Sequence, residues 1–231
     1  RWLSDWSSDV CSSDLPEKGT LADLGRPSAS EQYIWELTAG ADGKVYGCTY
    51  PQARLVRYDP EQGKLEDLGR MDPVELYGRY IAADRHGFVY VGIGTSRANF
   101  AAYEIATGEH RGIMPEEFRV VGMPSVYRGE DGNVYGVQGE RRFRMKGFTA
   151  TVIPAAEAAP PESFHRLGGG RTVEASGRTL RVKDPRTGAT AERSFEYRGN
   201  ELPIFRIGFG PEGALYGSAV LDRKSTRLNS S

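Results

Sequence analysis

A repeat of about 44 residues, roughly four short strand-like pieces in each repeat, and glycine-marked turns between those pieces together predict an all-β chain. The expected fold is a β-propeller fragment built of four-stranded antiparallel blades. About four blades are complete, with a partial blade at each end.

The repeat is read directly. Pro16-Glu-Lys-Gly-Thr-Leu-Ala-Asp-Leu-Gly-Arg26 and Pro60-Glu-Gln-Gly-Lys-Leu-Glu-Asp-Leu-Gly-Arg70 agree at eight of eleven positions at an offset of 44. The same offset joins Gly43-Lys-Val-Tyr46 to Gly87-Phe-Val-Tyr90, and Gly132-Asn-Val-Tyr135 follows 45 residues later. Gly170-Arg-Thr-Val173 is a weaker copy, and Gly213-Ala-Leu-Tyr216 closes the series.

The first full unit shows why each piece is a strand. Residues 35–39 lead into the turn Gly40-Ala-Asp-Gly43, and 44–49 form the second strand. Asp-Gly between apolar runs favours a tight hairpin, because glycine reaches positive φ without steric cost. Residues 54–58 form the third strand, and Pro60 follows it, where a residue without an amide hydrogen ends a ladder. Residues 64–68 form the fourth. Helical solenoids are excluded, since the segments are short and rich in Val, Tyr, Phe and Gly, poor helix formers. The run 31–37 has at best one helical turn. Units are expected near 31–70, 76–115, 121–155 and 163–195, with a fourth-strand remnant at 16–26 and a half unit at 203–222. The two end pieces have the right parts to pair into a fifth blade.

Three segments are expected. Residues 1–15 carry the stutter Ser-Ser-Asp at 7–9 and 12–14 and match nothing else, and residues 223–231 break off mid-pattern. Both resemble translated sequencing-adapter read-through of the kind met in metagenomic assemblies, so both are read as non-native tails flanking a propeller at 16–222, cut at both ends. Cys48 is then the only native cysteine, which excludes an internal disulfide, and Trp35 the only native tryptophan. With the start of the protein missing on this reading, the sequence assigns no compartment. Lys and Arg number 30 against 31 Asp and Glu, which argues against a nucleic-acid partner. No apolar run approaches the length of a membrane span.

The pattern Asp42-Gly43, Val45-Tyr46, Leu55, Tyr58-Asp59-Pro60-Glu61-Gln62-Gly63, echoed at Lys183-Asp184-Pro185-Arg186-Thr187-Gly188, resembles a broad bacterial propeller superfamily. Similar repeats occur in streptogramin-lyase-like, gluconolactonase-like and quinoprotein-like propellers and in some propeller polysaccharide lyases. The matching residues are turn and core residues, so the resemblance specifies architecture and leaves activity open. The chain departs from the family's metal sites. No acidic set on the inner strands answers to a gluconolactonase-like metal, and His86, His110 and His165 are poorly placed for a streptogramin-lyase-like one. No metal or cofactor is expected.

In a propeller the loops between strands two and three, and between strand four and the next strand one, share a face. Here they are 49–54, 94–98 and 138–141, with 25–33, 69–79 and 115–124, and they are rich in Tyr, Arg and Glu. Tyr50 and Arg54 suit a sugar ring bearing a carboxylate, through apolar stacking and bidentate pairing. Tyr77, Arg79 and Arg97 extend the candidate site. The rival reading has Tyr50 packing over the next blade and Arg54 bridging strands. His165 is the candidate general base and Tyr50 a second proton carrier, the rival for His165 being a structural histidine. Glu36 and Asp84 line the channel or sit on the surface. Gly92-Ile-Gly94 resembles half a dinucleotide fingerprint but opens no helix.

The expected activity is binding or processing of a saccharide, perhaps an acidic one, with lyase chemistry if the protein is an enzyme. A non-catalytic scaffold presenting its rim to a protein is the alternative. A quinoprotein-like enzyme ranks last, since only Trp35 is available for stacking on a cofactor. The complete ring is expected to be a monomer.

Overall fold

The computed structural model describes residues 12–15, 20–162, 171–176, 179–194, 204–209 and 215–219. Strands β1 (Ser12–Leu15) and β2 (Thr20–Asp23) come first. Blade 1 holds β3 (Tyr33–Ala39), β4 (Val45–Tyr50), β5 (Arg54–Asp59) and β6 (Lys64–Arg70). Blade 2 holds β7 (Tyr77–Ala83), β8 (Phe88–Gly94), β9 (Asn99–Glu104) and β10 (His110–Gly112). Blade 3 holds β11 (Ser125–Arg128), β12 (Val134–Gln138), β13 (Arg141–Lys146) and β14 (Thr149–Ile153). Blade 4 has three described strands, β15 (Thr172–Ser176), β16 (Thr179–Lys183) and β17 (Thr190–Ser194). Strands β18 (Ile204–Phe209) and β19 (Leu215–Ala219) complete the chain's described part.

These strands form five antiparallel sheets, four of them four-stranded: the chain is a β-propeller. The fifth sheet runs β18-β19-β1-β2 and so joins the two ends of the chain. Ser12 faces Gly217 across the β1–β19 pair and Asp23 across the β1–β2 pair. Thus β1, from the segment read as a foreign tail, fills the third-strand place. The first strands β18, β3, β7 and β11 pack side by side in that order. The run at 31–37, allowed one helical turn from sequence, is strand from Tyr33 onward. Among the described residues helix is confined to two single 3-10 turns at Glu116–Phe118 and Ala155–Glu157. No helix among the described residues is long and apolar enough to cross a membrane.

The core lies between blades. Tyr46, Cys48 and Leu55 of blade 1 pack on Ile81, Val89, Val91 and Ile93 of blade 2. Tyr90 and Phe100 pack in turn on Val134, Phe143 and Met145 of blade 3. The second strands of blades 1 and 2 are therefore buried on both faces, which accounts for their near-continuous apolar sequence.

One polar device recurs at the rim of this core. The hydroxyl of Tyr46 donates to Asp42 at 2.9 Å, that of Tyr90 to Asp84 at 3.2 Å and that of Tyr135 to Asp131 at 2.8 Å. Burial, reinforced by the adjacent carboxylate, pushes the Tyr46 and Tyr90 hydroxyls well above their ordinary pKa. In blade 2 the acid comes two residues earlier than in its neighbours, and His86 stands exposed where they have Asp42 and Asp131. Asp84 is therefore neither a channel nor a surface residue. It is 6% exposed and also accepts the amides of His86 and Phe88. Glu36 likewise has an assignment, accepting the amide of Ile81 across the blade 1–2 boundary at 2.9 Å.

The turn motif is equally explicit. Asp59 accepts the amides of Glu61 and Gln62, Asp184 that of Arg186, and Gly63 and Gly188 close the turns at φ 61° and 70°. The Gly92 and Gly94 pair is explained by close approach. A Cβ on Gly92 would collide with the carbonyl oxygen of Pro124, and one on Gly94 with that of Gly122. Gly92→Ala is accordingly expected to cost about 1–3 kcal/mol through overpacking, read as a lowered denaturation midpoint with unchanged m-value.

Candidate functional site

The loop face is organised by a second repeated device. Arg70 donates to the carbonyls of Asp72 and Glu75 at 3.1 Å each, stapling the loop between β6 and β7. Arg26, one repeat earlier, does the same to Ser28 and Glu31 at 2.9 and 2.6 Å. The stapled loops each aim a buried carboxylate at the next loop on the face. Glu31 accepts the Thr49 hydroxyl at 2.5 Å and the Gln52 amide at 3.1 Å. Glu75 accepts the amides of Thr95, Ser96 and Arg97 at 2.6, 3.2 and 2.6 Å. Asp72 ties the same region to blade 2, accepting the amides of Val74 and Glu75 and the Asn99 side chain, with the Arg119 guanidinium 3.5 Å away.

On this frame the ends of β3, β4 and β7 bring an aromatic cluster together. Tyr50 lies over Tyr77 with ring centroids 4.2 Å apart, and Tyr33 is 5.9 Å from Tyr50. Trp35 is 5.4 Å from Tyr33 and 6.1 Å from Tyr77. All four rings are half-buried. Arg79 adjoins them, its Cζ 5.4 Å from the Trp35 ring and 5.7 Å from that of Tyr80.

The backbone explains the aim of these two side chains. The β3–β4 register slips between Ile34 and Glu36, leaving Trp35 as the extra residue of a β-bulge. The β7–β8 register slips between Gly78 and Tyr80, leaving Arg79 in the equivalent place. A bulge adds one residue to a strand and turns its side chain off the regular alternation, a device common beside functional sites. The β18–β19 pair slips likewise between Ile204 and Arg206, so three consecutive blades bulge on the strand nearest the axis.

Of the residues singled out from sequence, Tyr50, Tyr77 and Arg79 meet in this cluster. Arg54 holds both oxygens of Asp67 at 2.8 Å across β5 and β6 and reaches Gln52 at 3.2 Å. Arg97, in the β8–β9 loop, pairs with the Glu116 carboxylate. His165 lies outside the described residues. Tyr33, Trp35 and Tyr80 were not singled out. The signal was present, because Tyr33-Ile-Trp35 and Tyr77-Gly-Arg79 stand at the same repeat position.

The Arg79 guanidinium pairs with no carboxylate among the described residues, and its buried Nε has no hydrogen-bond partner. Stacking uses the faces of a guanidinium and leaves its N–H edges free, so this group can still take a planar oxyanion edge-on. The ring cluster that it meets through Trp35 can take the apolar face of a sugar. No group of three or more His, Cys, Asp or Glu able to hold a metal occurs among the described residues.

No family model matches the chain, and no curated protein matches it. Solved structures resemble it at low identity. Streptogramin B lyase is 16% identical, over 91% of this chain and 72% of that one, with a TM-score of 0.45. A putative gluconolactonase is 12% identical over 96% and 93%, TM-score 0.46. A nidogen/laminin complex matches at 11% over 76% and 64%, TM-score 0.44. The blades described above define the class, and the chain is a β-propeller.

Proposed function

We propose that this propeller binds an acidic saccharide on its loop face. The observation that carries the reading is Arg79, a half-buried guanidinium stacked on aromatic rings with no carboxylate partner among the described residues. A uronate ring matches that arrangement, its carboxylate on the Arg79 edge and its C–H face on Tyr50 and Tyr77. Arg54 and Arg97, each already holding a carboxylate, flank the site.

The same geometry suits lyase chemistry. Tyr50 would take the proton next to the carboxylate that Arg79 holds. The electrons form the carbon–carbon double bond as the glycosidic C–O bond breaks, and the leaving oxygen takes the Tyr50 hydroxyl proton, so that the phenol is restored by the proton taken from carbon. His165 stays the alternative base.

Titration calorimetry of the whole chain with an oligogalacturonate tests the reading. Arg79→Ala is expected to weaken binding about tenfold or more and to remove the preference over a neutral oligosaccharide. Tyr50→Ala is expected to weaken binding of both sugars. Ultraviolet absorbance from an unsaturated uronate would mark cleavage. Unchanged affinity in both folded variants would remove the site.

A specific observation also favours the second reading, a scaffold for a protein partner. Val74 and Leu76 in the β6–β7 loop, and Val120 and Val121 in the β10–β11 loop, expose 75, 45, 52 and 80% of their surface on the same face. Substituting Val74 and Val121 with lysine separates the readings, since it blocks a protein partner and leaves the saccharide isotherm unchanged.

A further inference from the structure

The composite blade β18-β19-β1-β2 repeats the pairing of blade 1 position by position. Asp14 faces Leu215 on one side and Leu21 on the other, as Tyr58 faces Val45 and Leu65. Ser12 faces Gly217 and Asp23, as Val56 faces Gly47 and Asp67. Ile207 faces Gly217 as Leu37 faces Gly47, and Ile204 faces Ala219 as Ile34 faces Thr49. Strand β1 therefore holds the third-strand place in the register of the repeat.

Its sequence does not suit that place. In blade 1, Val56 and Tyr58 are buried in one cluster with Ile34, Leu37 and Val45, and Leu65 packs against it. The composite blade keeps apolar residues at the matching positions of its other three strands, namely Ile204, Ile207, Leu215 and Leu21. The third strand departs, with Ser12 in the place of Val56 and Asp14 in that of Tyr58. Blade 2 buries Ala101 and Tyr103 at these two places, and blade 3 buries Phe143 and Met145. Strand β1 thus has the backbone ladder of a third strand without its apolar side chains. A strand carrying both would gain the same ladder, and burial of each side chain is worth about tenfold or more in affinity.

We propose that the third-strand place of the composite blade is a strand-binding site, which exchanges β1 for an extended peptide of another chain with the repeat's own third-strand chemistry. That peptide carries two apolar residues, separated by one, in the places of Ser12 and Asp14. It would pair antiparallel with β19 on one side and β2 on the other, so both of its edges gain backbone hydrogen bonds. Strand β1 is four residues long, so it gives up few bonds on leaving.

A fluorescein-labelled peptide copying residues 54–60 is the probe, titrated with the whole chain and followed by anisotropy. Its control has serine and aspartate in place of the valine and the tyrosine. The copy is expected to bind about tenfold or more tightly than the control. Ser12→Val combined with Asp14→Tyr gives β1 the missing side chains. That double variant is expected to raise the unfolding midpoint and to weaken the copy about tenfold or more, because β1 no longer yields its place. Equal affinity of copy and control overturns the proposal, as does absence of binding at millimolar concentration. So does a lowered midpoint in the double variant, or undiminished binding to it, which would put the peptide on an open outer edge of another blade.

Discussion

Asp72→Ala is expected to lower the unfolding free energy by about 3 kcal/mol, a fall of roughly 6–12 °C in Tm for a chain of this size. The Asp72 side chain is 1% exposed and accepts from two backbone amides, Asn99 and Arg119. Alanine would leave these donors facing one another with no acceptor, the costly half of breaking a buried polar group. Asn99 has no slack to absorb the change, because its own Oδ1 is already buried without a partner. Asp72→Asn keeps an oxygen for the amides and is expected to cost roughly half as much. The pH dependence gives an independent check. Burial alone would raise the Asp72 carboxyl, but the Glu75 amide, the Asn99 side chain, the Val74 amide and the Arg119 charge hold it below its ordinary value. A depressed native pKa stabilises the fold fully at neutral pH and loses that contribution as pH falls below about 4, through the native value. The gap between wild type and Asp72→Ala should therefore be constant from neutral pH down to that point and narrow below it. A gap independent of pH would assign the loss to the loop backbone instead.

Deleting residues 1–23 is expected to have a still larger effect. It removes β1 and β2 and leaves β18 and β19 as a two-stranded remnant beside blade 1. Such a hairpin is marginal alone, and the uncovered edge of β19 presents a row of unpaired amides and carbonyls. The expected result is a broad, early thermal transition and material that elutes as aggregate on size exclusion. Deleting only residues 1–15 takes β1 and leaves β2 without its neighbour, so most of the loss should already appear there. A ladder needs only backbone groups, so the proline-free segment Ser12–Leu15 can fill a strand position without carrying the sequence of the repeat. An unchanged Tm in the shorter deletion would mean that β1 adds nothing and that residues 1–15 are dispensable.

The architecture was legible because propeller turns have narrow chemistry. Gly43 at φ 75°, Gly87 at 91° and Gly132 at 78° occupy conformations that other residues adopt at a cost, so the same letter returns in each blade. Pairing of the two chain ends was open from sequence and is what the fifth sheet shows. Other features escape a repeat read letter by letter. Asp84 does the work of Asp42 from two positions earlier, since what the core requires is an acceptor within reach of a tyrosine hydroxyl, not a fixed spacing. The bulges at Trp35 and Arg79 are invisible because one extra residue in a strand changes its partner's register, not its own sequence. Arg26 and Arg70 were visible as identical letters, but their targets are carbonyls, which any residue supplies.

The composite blade also sets a clock. Blades 1, 2 and 3 are made of hairpins between neighbours in sequence, and such pairings form in microseconds. The pairing of Ser12 with Gly217 instead brings together points about two hundred residues apart, at a chain-entropy cost of about 5 kcal/mol. That cost falls when most of the intervening chain is already ordered, so the ring closes after its blades have formed. Refolding should then be biphasic, with the slow phase reporting the meeting of the two termini.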